Sequence, residues 1–266
     1  MQAQLPDRTV CAIIWDYDGT LVDTRAKNLC VTRTLVERIA YKEPDSFPAL
    51  RSLEAYTLAQ ARSTNWREFY KSEFGFSEKL VDRAGRAWSS YQLEDSTAVP
   101  VFPGIHRVLQ QLSKFPHGIV SQNSRIAMAR ALDGYGIGHH FNVIIGYEEV
   151  DLRRQKPAPD GLLKCIDEMI RDSAGTVLYI GDHETDAACA RNSNEVLRRT
   201  RPGIYVTSVG ATYSSPVGIE GWGSKPDHEA RTVHDIVAIV KSLSIWRVTE
   251  SSANHINPSQ IPEASL

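Results

Sequence analysis

Apolar residues run from Val10 to Trp15, and the run stops at two carboxylates one residue apart, Asp16 and Asp18, followed by Gly19 and Thr20. A run of that length bounded by a turn signal predicts a buried strand opening into a loop. From Thr24 to Ala40 the spacing turns helical, with Leu29, Val36, Ile39 and Ala40 on one side, and Tyr41 to Pro48 reads as a loop. Ala49 to Tyr91 is helical throughout, with no strand pattern. Pro103 suits a first helical turn. Ile105, Val108, Leu109 and Leu112 then form an apolar stripe at i, i+3, i+4 and i+7.

Beyond that point strands and helices alternate. His117 to Ser121 predicts a short buried strand, Ser124 to Asp133 a helix stopped by Gly134, and Phe141 to Ile145 a strand. A helix carries Leu162, Leu163, Ile166, Met169 and Ile170 on one face, and Thr176 to Ile180 is a strand ending at Gly181 and Asp182. A short helix from Thr185, a strand from Gly203 to Val209, and an amphipathic helix with Val233, Ile236, Val237 and Val240 close the pattern, with Thr232 as candidate cap. The alternation predicts an α/β fold, a Rossmann-like parallel sheet with both faces covered and an inserted α-helical domain. The expected organisation is a core of residues 1–23 and 100–246, a helical insertion of 24–99, and a disordered tail of 247–266 without periodicity.

Composition adds little to the picture. Of 266 residues, 42% are hydrophobic and 23% charged, ordinary values for a soluble globular chain. A net charge of −2 suggests neither a nucleic acid nor a membrane surface as partner. Cys11, Cys30, Cys165 and Cys189 are widely spaced, which favours reduced side chains over a disulfide frame or zinc site. The first residues lack the regions of a signal peptide, and no apolar run approaches ~18 residues, so a cytoplasmic protein is expected.

The candidate chemistry lies at strand ends, where parallel sheets bind ligands. Residues two apart on an extended segment point the same way, so Asp16 and Asp18 can converge on one spot. Carboxylates so placed repel unless a cation joins them, and oxygen ligands suit Mg²⁺. Gly19 allows a tight turn and offers an unhindered N–H to an anion. Asp182 and Asp186 extend the acidic cluster, with Asp186 at the start of a helix. Ser121 offers a hydroxyl before a helix whose free N–H groups can hold a phosphate oxygen. Lys156 supplies a point positive charge. Taken singly, each has a plainer reading: a loop serine, a solvated lysine, a capped helix start.

In order along the chain, Asp16-Tyr17-Asp18-Gly19-Thr20, Ile119-Val120-Ser121, Lys156-Pro157-Ala158-Pro159-Asp160 and Gly181-Asp182-His183-Glu184-Thr185-Asp186 resemble the four motifs of haloacid dehalogenase (HAD) superfamily phosphatases. The insertion resembles the helical C1 cap of phosphoglycolate phosphatase-like members. The resemblance implies a Mg²⁺-dependent phosphatase acting on a small phosphorylated metabolite. Asp16 would be the nucleophile that forms an aspartyl-phosphate, and Asp18 the general acid and then base. The metal would take the Asp16 carboxylate, the Asp18 backbone carbonyl and Asp182, with Asp186 acting through metal-bound water. Ser121 and Lys156 would bind the phosphoryl group, helped by donors from Gly19 and Asn123. Arg51, Arg62, Trp66 and Arg67 are conceivable substrate contacts in the insertion, although packing is the commoner role for Trp66. A phosphomutase and a non-catalytic binding protein on the same scaffold are the alternatives, and the protein could be a monomer or a homodimer.

Two features depart from the family pattern. Gln122 intervenes between Ser121 and Asn123. After the fourth motif, Arg191-Asn192-Ser193-Asn194 leads into a basic segment from Leu197 to Arg201.

Overall fold

The computed structural model describes residues 9–63, 65–171, 174–215 and 218–253. The expected tail lies outside the described residues from 254 onward.

Six parallel strands form one sheet: β1 (Val10–Trp15), β2 (His117–Val120), β3 (Phe141–Ile145), β4 (Gly175–Gly181), β5 (Ile204–Ala211) and β6 (His228–Ala230), ordered β3-β2-β1-β4-β5-β6. β1 lies in the centre, paired with β2 on one side and β4 on the other. Its side chains alternate between faces, as the pleat requires. Ile13 and Trp15 join one core layer with Leu178, Ile180 and Val209. That layer packs under α5 (Ile105–Gln111), α6 (Arg125–Gly134) and α9 (Asp235–Ala253). Ala12 and Ile14 join the other with Val177, Tyr179 and Val206, under α7 (Asp160–Met169) and α8 (Glu184–Thr200). Both faces are buried, which is why β1 and β4 read as nearly continuous apolar runs. Trp15 donates its indole N–H to Nδ1 of the buried His117 at 3.0 Å, tying the end of β1 to the start of β2. Burial pushes the His117 imidazole down to about 4.

Between β1 and β2 the chain makes α1 (Arg25–Ala40), α2 (Leu53–Ala61), α3 (Trp66–Phe74) and α4 (Glu78–Glu94) before α5 returns to the sheet. These four helices and the segment between α1 and α2 bury a hydrophobic core of their own, built on Leu35, Leu50, Tyr56, Phe69, Phe74 and Val81. Side-chain caps start three of them: Ser52 for α2, Asn65 for α3 and Ser77 for α4. The two crossings between insertion and sheet run side by side. Val22 bridges Val101 in antiparallel fashion, Asp23 N–H donates to the Pro100 carbonyl at 2.8 Å, and Phe102 N–H to the Leu21 carbonyl at 3.1 Å. Arg25 clasps the junction with a fork on Asp23 (2.7 and 2.6 Å) and a bond to the Ser214 carbonyl (2.5 Å).

Several local expectations are corrected. α6 runs through Gly134, because the left-handed residue that ends it is Gly136 at φ +71°. α8 is a long helix of 17 residues that absorbs the Arg191–Asn194 stretch together with Arg198 and Arg199, with Arg201 as its C-terminal cap. Asn194 on α8 brackets Val206 of β5, donating to its carbonyl and accepting its N–H, both at 2.8 Å. At the head of α9, the Thr232 backbone N–H donates to the Asp235 carboxylate at 2.8 Å. α9 continues to Ala253.

Candidate active site

The carboxyl ends of β1, β2 and β4 and the loop after β3 open into a cleft of about 900 Å³ beneath the helical insertion. Asp16, Asp18, Gly19, Ser121, Lys156, Asp182 and Asp186 all line it. Of the residues expected to hold the phosphoryl group or the metal, Asn123 alone does not.

Asp16 follows the last residue of β1, its N–H donating to the Ile180 carbonyl of β4 at 2.7 Å. Lys156 arrives from the segment before α7 and places Nζ 2.5 Å from Asp16 Oδ1 and 2.7 Å from Asp186 Oδ1. The three side chains are buried, with exposures of 7% for Lys156, 9% for Asp16 and 6% for Asp186. Asp186 is held on both oxygens. The Tyr179 hydroxyl donates to Oδ1 at 2.9 Å and the His183 backbone N–H to Oδ2 at 3.2 Å. Gly181 leaves space for it, since a Cβ there would lie 2.3 Å from Asp186 Cγ.

Electrostatics follow from that burial. Desolvation pushes the Asp16 carboxyl up to about 7, with Asp186 and Asp18 adding repulsion and Lys156 pulling the other way. Asp182 is driven well above the ordinary range by burial, then by Asp16 and Asp186. Burial would lower Lys156, but Asp16 and Asp186 override it and hold the ammonium above its usual value. A site that raises its carboxylates this far calls for a cation. Carboxylate oxygens of Asp16, Asp182 and Asp186 lie within 4.8 Å of one another, a hard-oxygen donor set that fits Mg²⁺. Gly19, at φ +72°, sits against this group: a Cβ there would lie 1.9 Å from Asp182 Oδ2.

Asp18 does not join that cluster. Asn123 donates its amide to both Asp18 oxygens, at 3.4 and 3.2 Å, and Thr24 and Ser121 also hydrogen-bond the carboxylate. The extra residue Gln122 reaches across to Gln155, at 3.4 Å, and the Asn123 backbone N–H donates to Ser121 Oγ at 3.2 Å. So the two aspartates of the first motif divide, one turned to Lys156 and one to Asn123. Burial raises the Asp18 carboxyl, partly offset by its hydrogen bonds.

Tyr179 and Thr24 were not anticipated from sequence. The available signal for Tyr179 was a phenol in an otherwise aliphatic strand, and for Thr24 a hydroxyl at the start of a helix. His183, inside the fourth motif, accepts the Thr185 N–H on Nδ1 and caps α8. In the insertion, Trp66 and Arg67 line the cleft and Arg51 and Arg62 do not. Arg51 donates instead to the Asp45 carbonyl at 2.9 Å. Trp66 is 42% exposed, with its ring packed edge-on against Tyr70 at a centroid distance of 6.1 Å.

No helix among the described residues is long and apolar enough to cross a membrane. A family model described as haloacid dehalogenase-like hydrolase matches residues 13–196. Phosphoglycolate phosphatase of Synechococcus elongatus is 25% identical over 189 residues, 68% of this chain and 78% of the relative. Pyrophosphatase PpaX of Bacillus velezensis is 22% identical over 197 residues, 71% and 82% of the two chains. The solved structure of a haloacid dehalogenase-like hydrolase from Streptococcus pneumoniae shares the fold, with a TM-score of 0.64 at 19% identity over 86% of this chain and 98% of that one.

Proposed function

This chain belongs to the haloacid dehalogenase-like hydrolases, and from that premise we propose that it is a Mg²⁺-dependent phosphatase that cleaves a small phosphorylated metabolite through an aspartyl-phosphate. The observation that carries the reading is the buried contact of Lys156 with both Asp16 and Asp186, beside Asp182 and beneath a roofed cleft.

In this reading Asp16 attacks phosphorus. Lys156 favours its ionised form and offsets charge on the phosphoryl oxygens, with Ser121 as a further donor, whereas the Gly19 N–H, expected to serve there, is already given to the Val22 carbonyl at 2.9 Å. Asp18, whose carboxyl burial raises, donates its proton to the leaving oxygen. It then takes a proton from the water that attacks the phosphorus of the aspartyl-phosphate, which frees Asp16 and releases inorganic phosphate. Asn123 and Thr24 keep Asp18 aimed away from the acidic cluster. Asp16, Asp182 and the Asp18 backbone carbonyl would hold Mg²⁺, with Asp186 acting through its water. Bound there, the ion supplies charge neutralisation.

Residues 24–99 then form a cap over a core of 1–23 and 100–246, and the paired crossings at Val22 and Val101 are its hinge. Closure of such a cap excludes water from the phosphoryl intermediate. The test is turnover of p-nitrophenyl phosphate in Mg²⁺. Wild-type hydrolysis with loss to background in the folded Asp16→Asn variant supports the reading, and a fully active Asp16→Asn contradicts it.

A further inference from the structure

The far wall of the cleft says something about the leaving group. Among the described residues the lysine and arginine side chains that line it are Arg25, Arg67 and Lys156, and each already faces carboxylates. Arg25 is forked onto Asp23. Arg67 on α3 is held by Glu78 at 2.9 Å and Asp82 at 2.8 Å, both on α4, with its guanidinium 5.3 Å from the Trp66 ring centre. Lys156 is shared by Asp16 and Asp186. Glu184 contributes a further carboxylate, held by the Gly223 N–H at 2.6 Å.

The insertion meets the cleft with neutral polar groups: Asn28, Thr57, Gln60 and Ser63. Asn28 donates Nδ2 to Thr24 at 3.3 Å, and its Oδ1 is a buried acceptor without a partner. The exposed ring of Trp66 offers an apolar face beside them. At about 900 Å³ the space is ample for a sugar-sized group.

We infer that the cleft selects phosphate esters whose leaving group is uncharged and hydroxyl-bearing, such as a sugar or polyol, over leaving groups that carry a carboxylate or a second phosphate. The inference rests on the phosphatase reading and deepens it. A carboxylate leaving group would enter a wall whose cations are already matched and whose spare charge is negative, and such like-charge contacts are strongly disfavoured. Hydroxyls would find amide and hydroxyl partners, and a sugar face would find the indole.

The experiment compares kcat/KM for glycerol 3-phosphate and 3-phosphoglycerate, nearly equal in size and differing by a carboxylate. Ribose 5-phosphate, glucose 6-phosphate, 2-phosphoglycolate and pyrophosphate extend the panel, with p-nitrophenyl phosphate as the reference. The neutral esters are expected to lead by about tenfold or more. The double variant Glu78→Gln/Asp82→Asn lies on α4, outside the cleft, and frees Arg67. It should raise 3-phosphoglycerate relative to glycerol 3-phosphate by about threefold, the worth of one exposed ion pair. Preference for any anionic ester over all the neutral ones, or a ratio the double variant leaves unmoved, overturns the inference while hydrolysis of the reference ester keeps the phosphatase reading. Failure to hydrolyse the reference ester removes both.

Discussion

Gly19→Ala separates the cost of a backbone conformation from damage to the acidic cluster. Gly19 sits at φ +72°, where a side chain costs roughly 1 kcal/mol. The new Cβ would also lie 1.9 Å from Asp182 Oδ2 and 2.5 Å from its Cγ. Reaching an ordinary 3.4 Å contact requires the carboxylate to retreat by about 1.5 Å from a buried position beside Asp16 and Asp186. Misplacement of a reacting group by about 1 Å can cost on the order of 10²-fold in rate. Gly75→Ala is the control: Gly75 has φ +65° at the end of α3, and its nearest neighbour is Lys42 Nζ at 4.0 Å. Both variants should lose about 1 kcal/mol, or about 2–4 °C in Tm for a chain of this size. Gly19→Ala alone should lose about 10²-fold in kcat/KM on p-nitrophenyl phosphate and need at least about tenfold more Mg²⁺ for half-maximal rate. Wild-type rate and Mg²⁺ dependence in Gly19→Ala would refute the placement of Asp182.

Tyr179→Phe removes the buried hydroxyl that donates to Asp186 and should cost about 1.5–3 kcal/mol in a denaturant melt, the range for a hydrogen bond to a charged group; an unchanged midpoint contradicts that bond. Without metal, stability should fall between pH 6.5 and 8. Asp16 has a folded value of about 7, above its ordinary 3.8, so its contribution is full below the unfolded value and lost as pH rises through 7. His117, lowered to about 4, acts in the opposite sense and only below its ordinary 6.5. Thermal melts in chelator should therefore show a lower Tm at pH 8 than at pH 6.5, with Mg²⁺ restoring more at the higher pH; a metal-free Tm that climbs over that interval opposes the assignment.

Much of the framework was legible because it depends on short-range pattern. The apolar run of β1 and the carboxylates after it can be read without knowing any partner, and so can the helical spacing of the insertion. Contacts between distant segments could not be read. Asp18 and Asp16 look equivalent in sequence, two residues apart on one strand end, yet Asn123, 105 positions away, draws Asp18 aside. The length of α8 depends on Asn194 meeting the backbone of β5, and β6 is a three-residue edge strand too short to leave a pattern. Gly134 and Gly136 are both plausible helix stops, and the choice falls to the one that takes positive φ. Trp66 and Arg67 could not be told from packing residues because the cleft they line exists only once α2 and α3 stand over the sheet.

The most direct test of the central claim is a rapid acid quench of a single turnover in Mg²⁺ with a ³²P-labelled phosphate ester, followed by peptide mapping. Base-labile label on the peptide that carries Asp16, absent from Asp16→Asn, is the expected result. Hydrolysis with no protein-bound label at any quench time, or label on a peptide without Asp16, would contradict it.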